Sequence, residues 1–182
     1  MGAELNKTMN DFGSQVKRLA QINVGRSVNG RRIDTTGKLR KSIKYVIKIK
    51  GDEVEVGFLM QDYGLYVDAG VVGKKKKILG KWNKSVFNRG SGYSSKFPDV
   101  GAIKKWINDK PIRMRNSTGQ FVGKTQKRID TTAYLIGRKI YNEGLQPKLF
   151  FSDPFNKEYK SLPDDAVNAY ANDLENNLKE EN

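Results

Sequence analysis

Leu5, Met9, Phe12, Val16 and Leu19 recur at steps of four, three, four and three. That spacing puts apolar side chains on one face of a helix over about residues 4–20. A glycine-containing loop with basic residues from Arg26 to Lys38 follows. Thr35 or Thr36 can cap a short helical turn through Leu39 and Ile43. The period then changes to two. Ile43, Tyr45, Ile47 and Ile49 alternate with Lys44, Lys48 and Lys50, Val46 being the one break; Val54, Val56 and Phe58 alternate with Glu53 and Glu55. With Lys50-Gly51-Asp52 as its turn, this predicts a β-hairpin with one apolar face. The lysines of its first strand would face the glutamates of its second, a cross-strand pairing worth about 0.2–1 kcal/mol each.

The stretch Asp62 to Gly70 leads into a long insertion without clear period, residues 71–98. Loops of that length either carry function or lack order. Asp99 is placed to cap a short helix with Val100, Ile103, Trp106 and Ile107 on one side. A second basic loop, Pro111 to Lys124, precedes a strong helix at about 126–143, with Ile129, Ala133, Ile136 and Ile140 inward and Gly144 as its C-cap. Leu149-Phe150-Phe151 reads as a short strand, and Asp153-Pro154 as the start of a turn. A last helix, about 163–179, turns Val167, Tyr170, Ala171, Leu174 and Leu178 to one side. The order predicts an α+β fold: an N-terminal helix, a small antiparallel sheet built on the hairpin, a packed long helix, a long basic loop insertion and a C-terminal helix. Residues 1–160 are expected to form the main domain and 161–182 an acidic C-terminal helix or arm.

Composition narrows the chemistry. The chain of 182 residues has no cysteine and no histidine. Disulfides, thiolate metal sites, cysteine nucleophiles and histidine-based catalysis are thereby excluded. Lysine- and carboxylate-based catalysis remain open, but no acid or lysine is singled out, so no enzyme, cofactor or metal is expected. The net charge of +14 implies anionic surroundings: nucleic acid, a membrane surface or an acidic protein. It is unevenly spread. From Asp164 onward six acids face one lysine, a balance of −5, which leaves +19 for the rest. An acidic end on a basic body can fold back, pair with a neighbouring copy or remain a solvated face. No apolar run is long enough to span a membrane. The start lacks the basic and apolar stretches of a signal peptide, and Asn6 breaks a myristoylation signal. A soluble protein made in the cytosol is expected.

Two phosphate-binding patterns fail on spacing. Gly123-Lys124-Thr125 ends like a phosphate loop, but the glycine needed at position 118 is Thr118. Gly90-Ser91-Gly92 has no third glycine and no following helix period. The basic insertion is more suggestive: Lys74, Lys75, Lys76, Lys77, Lys81 and Arg89 are interleaved with aromatics such as Trp82, and Arg113 and Arg115 stand in the second basic loop. Cations for phosphates and rings for stacking make these nine residues candidate contacts to a partner or to DNA. No sequence-reading nucleic-acid module is present. Sequence-nonspecific nucleic-acid binding is therefore an alternative function.

Three islands, taken in order, carry a resemblance. They are Thr36-Gly37-Lys38-Leu39-Arg40-Lys41-Ser42-Ile43 before the hairpin; Val56-Gly57 followed by Tyr63-Gly64-Leu65-Tyr66-Val67-Asp68-Ala69-Gly70; and Pro147 to Phe155, which reads PKLFFSDPF. Together they resemble the gene-ten tail-completion (head–tail joining, minor tail, neck) family of lambdoid and related tailed phages. The pattern differs at Gly64, Asp68 and Val71, where that family has Ala, Glu and Thr, and in its final segment. The resemblance implies a virion structural protein assembled in the host cytoplasm. It would form a sixfold-compatible ring in the neck, docked to portal-side or tail proteins, with possible nonspecific contact to packaged DNA. It also implies structural roles for Gly37, Leu39, Ser42, Tyr63, Tyr66, Asp68, Gly70, Phe151 and Pro154.

Overall fold

The apolar repeat at the start of the chain runs further than its first five members. In the computed structural model, which describes residues 2–28, 31–32, 36–50, 53–75, 85–87, 97–109 and 113–180, helix α1 spans Ala3–Gly25. Phe12, Val16, Ala20 and Val24 are buried along it at steps of four, while Leu5, Met9 and Leu19 are half-buried. Val24 carries the buried face a turn beyond the predicted end. A two-residue antiparallel ladder, β1 (Ser27–Val28) with β2 (Arg31–Arg32), follows. Helix α2 (Lys38–Ser42) comes next. The predicted hairpin is present as β3 (Lys44–Lys50) and β4 (Glu53–Leu59), with Lys48 opposite Glu55 and Lys50 opposite Glu53. Gly51 and Asp52, its predicted turn, lie outside the described residues.

The remaining elements are α3 (Asp62–Ala69), β5 (Val71–Val72), α4 (Val100–Asp109), β6 (Met114–Arg115), β7 (Phe121–Val122), α5 (Gln126–Glu143), β8 (Gly144–Leu145), α6 (Ser152–Tyr159) and α7 (Leu162–Glu180). Helices combined with small antiparallel ladders make this an α+β protein, as the pattern predicted. Contacts group the chain into two units: Met1–Ala69 with Asn83–Asn88 and Pro147–Asn182, and Gly70–Trp82 with Arg89–Gln146. Within the first unit, α7 packs on α1.

In the first unit, α1 packs on the β3–β4 hairpin, α2, α6 and α7. Its core joins the buried face of α1 to Leu39, Ile43, Phe150 and Phe151. Aromatic rings meet edge-on in its middle, Phe12 with Phe58 at 6.1 Å and Phe58 with Phe151 at 5.1 Å. Such pairs add about 0.5–1.5 kcal/mol beyond the area they bury.

One prediction fails in this unit. Leu149-Phe150-Phe151 is not a strand. Leu149 has φ +50°, the backbone turns there, and Asp153-Pro154 lies in the first turn of α6 rather than opening a loop. Short apolar runs do not distinguish a buried strand from a buried turn. The one-sided stripe of α7 faces outward. Val167, Tyr170, Leu174 and Leu178 are 68, 55, 46 and 64% exposed, and the helix buries Ala169 and Asp173 instead. Asp173 explains the choice. The N-cap position of α1 is Gly2, which has no side chain to offer, and the Asp173 carboxylate accepts the N–H groups of Glu4 and Leu5, both at 2.9 Å. A carboxylate at a helix N-terminus satisfies two orphan amides and complements the helix dipole. The fold thus turns the apolar stripe outward and the acid inward.

The second unit is built on α4 and α5. Ile107, Met114, Ile129 and Ala133 are buried between them, with Val100, Ile103, Val122 and Ile136 at the edge. Trp106, predicted on one side with Val100, Ile103 and Ile107, is 49% exposed. The boundaries of α5 agree with the prediction: Thr125 accepts the Arg128 N–H, and Gly144, at φ +79°, donates its N–H to Ile140. A Cβ at Gly144 would also collide with the carbonyl of Val71, so this turn needs glycine twice over. Lys104 of α4 bonds Asp130 of α5 at 2.9 Å. The second basic loop is in fact a hairpin, β6 with β7. Asn116 organises it, its Oδ1 accepting from the N–H groups of Thr118 and Gln120.

The insertion at 71–98 is not irregular throughout. Val71–Val72 pairs with Gly144–Leu145 in the second unit. Ser85, Val86 and Phe87 belong to the first, where the Phe87 ring lies 5.3 Å from Phe151.

Candidate functional site

The islands that carry the resemblance come together in the first unit. Gly37 stands at the N-cap of α2 with φ +74°, a conformation that glycine adopts without strain. Leu39, 1% exposed, enters the core directly behind it. Ser42 closes α2 by donating to the Leu39 carbonyl at 2.8 Å, and its oxygen accepts the Gln61 N–H at 3.1 Å, fixing the start of α3. The segment from Asp62 is therefore a helix, which period analysis left unassigned. Tyr63 and Tyr66 lie on its outer face, 45 and 44% exposed, and Gly70, with φ +69°, ends it.

Asp68 is the centre of the cluster and is fully buried. Its backbone carbonyl accepts the N–H groups of Lys148 and Leu149, at 3.2 and 3.1 Å, which caps the C-terminal end of α3. Its carboxylate does the converse for α6. Oδ1 accepts the N–H groups of Phe151 and Ser152, at 2.7 and 3.1 Å. Phe151, at the N-cap position, has no side-chain acceptor of its own. Oδ2 accepts the hydroxyls of Ser85, at 2.8 Å, and of Ser152. One residue thus ties the end of one helix to the start of another and holds the middle of the insertion through Ser85. The hydroxyls are in turn engaged, Ser152 by the Val86 N–H at 2.9 Å and Ser85 by the Phe87 N–H at 3.2 Å. Four donors on one buried carboxylate leave it no open position toward a substrate. Its work is to hold three chain segments in register. Phe151 and Pro154 complete the island, both buried beside this junction.

Among the basic residues proposed as contacts, Lys76, Lys77, Lys81, Trp82 and Arg89 lie outside the described residues. Lys74 and Lys75 are exposed at the end of β5, with the Lys74 ammonium 5.6 Å from the Tyr141 ring. Arg113 and Arg115 come together on the β6–β7 hairpin. Their guanidinium groups lie 5.4 and 4.2 Å from the ring of Phe121, itself 56% exposed. Stacking on an aromatic face pre-orients a guanidinium for a planar anion. Sequence reading named the two arginines but missed Phe121, because only the hairpin register brings residue 121 opposite residue 115.

Ser85, Ser152 and Asp173 were also missed. Ser152 sits inside the third island, a signal that was available; Ser85 and Asp173 gave none, since their partners are distant in sequence. A groove of about 580 Å³ in the first unit, between α1 and the α6–α7 segment, is lined by Glu4, Asp11, Glu158 and Asp165 among others. Among the described residues no group of three acids is placed to hold a metal ion, and no helix is long and apolar enough to cross a membrane. No protein-family model, curated protein or solved structure matches the chain.

Proposed function

We propose that this chain is a structural component of a tailed-phage particle, a self-associating neck protein that joins head to tail and docks on portal-side or tail proteins rather than catalysing a reaction. The observation that carries the reading is that the three resemblance islands meet around α3, with Ser42 binding Gln61 at its start, Asp68 binding Phe151 and Ser152 at its end, and Leu39, Val67 and Phe151 sharing one core. Residues far apart in sequence that jointly build one core are what a shared structural framework requires, and Asp68 is saturated rather than reactive. The exposed apolar stripe of α7 supports the same reading, since such a face on a helix suits protein contact. The test is made on purified particles of the phage that encodes the chain. Mass spectrometry should detect it in stoichiometric amount and averaged neck images should show a ring that its fold fits; absence from purified particles refutes the proposal.

The alternative, sequence-nonspecific nucleic-acid binding, draws on one specific arrangement, the two arginines stacked on exposed Phe121 in a chain of net charge +14. It predicts tight duplex binding by the isolated chain, with affinity falling steeply as salt rises. Weak binding at moderate salt counts against it.

A further inference from the structure

The net charge of the chain belongs almost wholly to one of its two units. Of 34 basic and 20 acidic residues, the second unit carries 17 and 4, a balance of +13; the first carries 17 and 16, a balance of +1. Within the second unit, the stretch from Arg113 to Arg128 holds five basic residues and no acid. The β6–β7 hairpin gives this stretch a shape. Met114 and Val122 pair and turn toward the core between α4 and α5, so the alternation of the strand sends Arg113 and Arg115 to the opposite face. There Arg115 stands across from Phe121, and both guanidinium groups lie against that ring. Arg115 donates to the Gly119 carbonyl at 3.0 Å, and Arg128, from the first turn of α5, donates to the Gly123 carbonyl at 3.1 Å. Among the described residues none of these three arginines meets a carboxylate.

Oriented cations without an internal counter-charge are placed to receive an anion from outside. We propose that the β6–β7 hairpin and the first turn of α5 hold the phosphate backbone of a nucleic-acid duplex, and that the second unit alone carries this contact. This rests on the nucleic-acid reading above and gives it a site. A duplex presents one phosphate per about 1.7 Å of its axis, a repeat that answers a unit with so large an excess of cations. A folded acidic protein would have to crowd a matching excess of carboxylates into one interface of about 20–30 residues. A duplex is favoured over a single strand because two guanidinium groups already engage Phe121, so the ring orients them instead of stacking an unpaired base. The roles are therefore separable: the arginines supply charge and the ring supplies their direction. Contacts to phosphate carry no base identity, so binding is blind to sequence.

Fluorescence anisotropy of the full chain tests this with a labelled DNA duplex of about 25 base pairs and mixed sequence, read from about 50 to 300 mM salt. Phosphate contacts from Arg113, Arg115, Arg128 and exposed Lys127 imply that log affinity falls with log salt at a slope of about −3.6 or steeper. Arg113→Gln with Arg115→Gln should weaken binding about tenfold or more at low salt and reduce the slope by about two. Phe121→Ala removes no charge; it should weaken binding about two- to fivefold and leave the slope unchanged. Lys7→Gln with Lys44→Gln removes the same charge from the first unit and should leave affinity and slope close to those of the parent chain. All five positions are exposed, and circular dichroism should match the parent in each variant. If the chain binds but the arginine pair behaves like the Lys7–Lys44 control, the site is overturned and the nucleic-acid reading stands. No binding at about 50 mM salt overturns both. Poly-glutamate of equal charge bound as tightly as the duplex overturns the assignment in favour of an acidic protein. A tighter complex with a single strand, lost in Phe121→Ala, overturns it in favour of base stacking.

Discussion

Replacing Asp68 tests whether the junction of α3, α6 and residue 85 holds the first unit together. In Asp68→Ala the N–H groups of Phe151 and Ser152 lose their acceptor in a site closed to water. Hydrogen bonds to a charged acceptor contribute about 1.5–3 kcal/mol each, so two amides imply a loss of about 3–6 kcal/mol. The hydroxyls of Ser85 and Ser152 add little, because they stand 3.1 Å apart and can bond each other. Against a total stability of about 5–15 kcal/mol, such a loss removes a large share. Asp68→Asn keeps one oxygen for both amides and turns its NH₂ toward two hydroxyls that can accept, so its cost should be nearer 1–2 kcal/mol. Urea unfolding followed by circular dichroism gives the totals. Amide hydrogen exchange at Phe151 and Ser152 gives the local effect, and should accelerate more in the alanine variant than in the asparagine variant. An alanine variant within about 1 kcal/mol of the parent chain, or an asparagine variant equally damaged, refutes the reasoning.

Asp173→Ala should cost about 1–2 kcal/mol in urea unfolding, since it strips the side-chain acceptor at the first turn of α1, with exchange faster at Glu4 and Leu5. Gly37→Ala forces a Cβ into left-handed backbone and should lower stability by about 1–2 kcal/mol, although among the described residues nothing lies near enough to clash. Hydrogen bonds from Lys104 and then Gln126 hold the Asp130 carboxyl below the usual aspartate range. A carboxyl depressed in the folded state stabilises above its unfolded pKa and loses that contribution as pH falls through the folded one. The Lys104–Asp130 link should therefore persist through neutral and mildly acidic pH and fail only in strong acid; an NMR titration should show Asp130 rising toward the usual value in Lys104→Ala. Phe121→Ala should leave global stability within about 1 kcal/mol, because the ring is exposed and its cation–π contacts are surface ones; a larger loss in thermal unfolding would mean that the hairpin is buried against something.

Much of this protein is legible in its pattern of apolar positions. The helices at 3–25 and 126–143, the 44–59 hairpin and the Asp99-capped helix follow from local periods and caps that neighbours along the chain enforce. The same locality explains the misses. A period of 3.6 identifies the stripe on α7 but not whether it faces the core, and Asp173, by capping α1 across 168 positions, turned it outward. Leu149, Phe150 and Phe151 read as a strand from their apolar run, and the amides bound to Asp68 make them a buried turn instead. Sequence by itself determined composition, charge, the excluded chemistries and most element boundaries, because these depend on residues a few positions apart. Tertiary structure alone decided which faces are buried and what Asp68 does, because a buried carboxylate is satisfied by whichever donors the fold brings to it, and those lie 17 and 83–84 residues away.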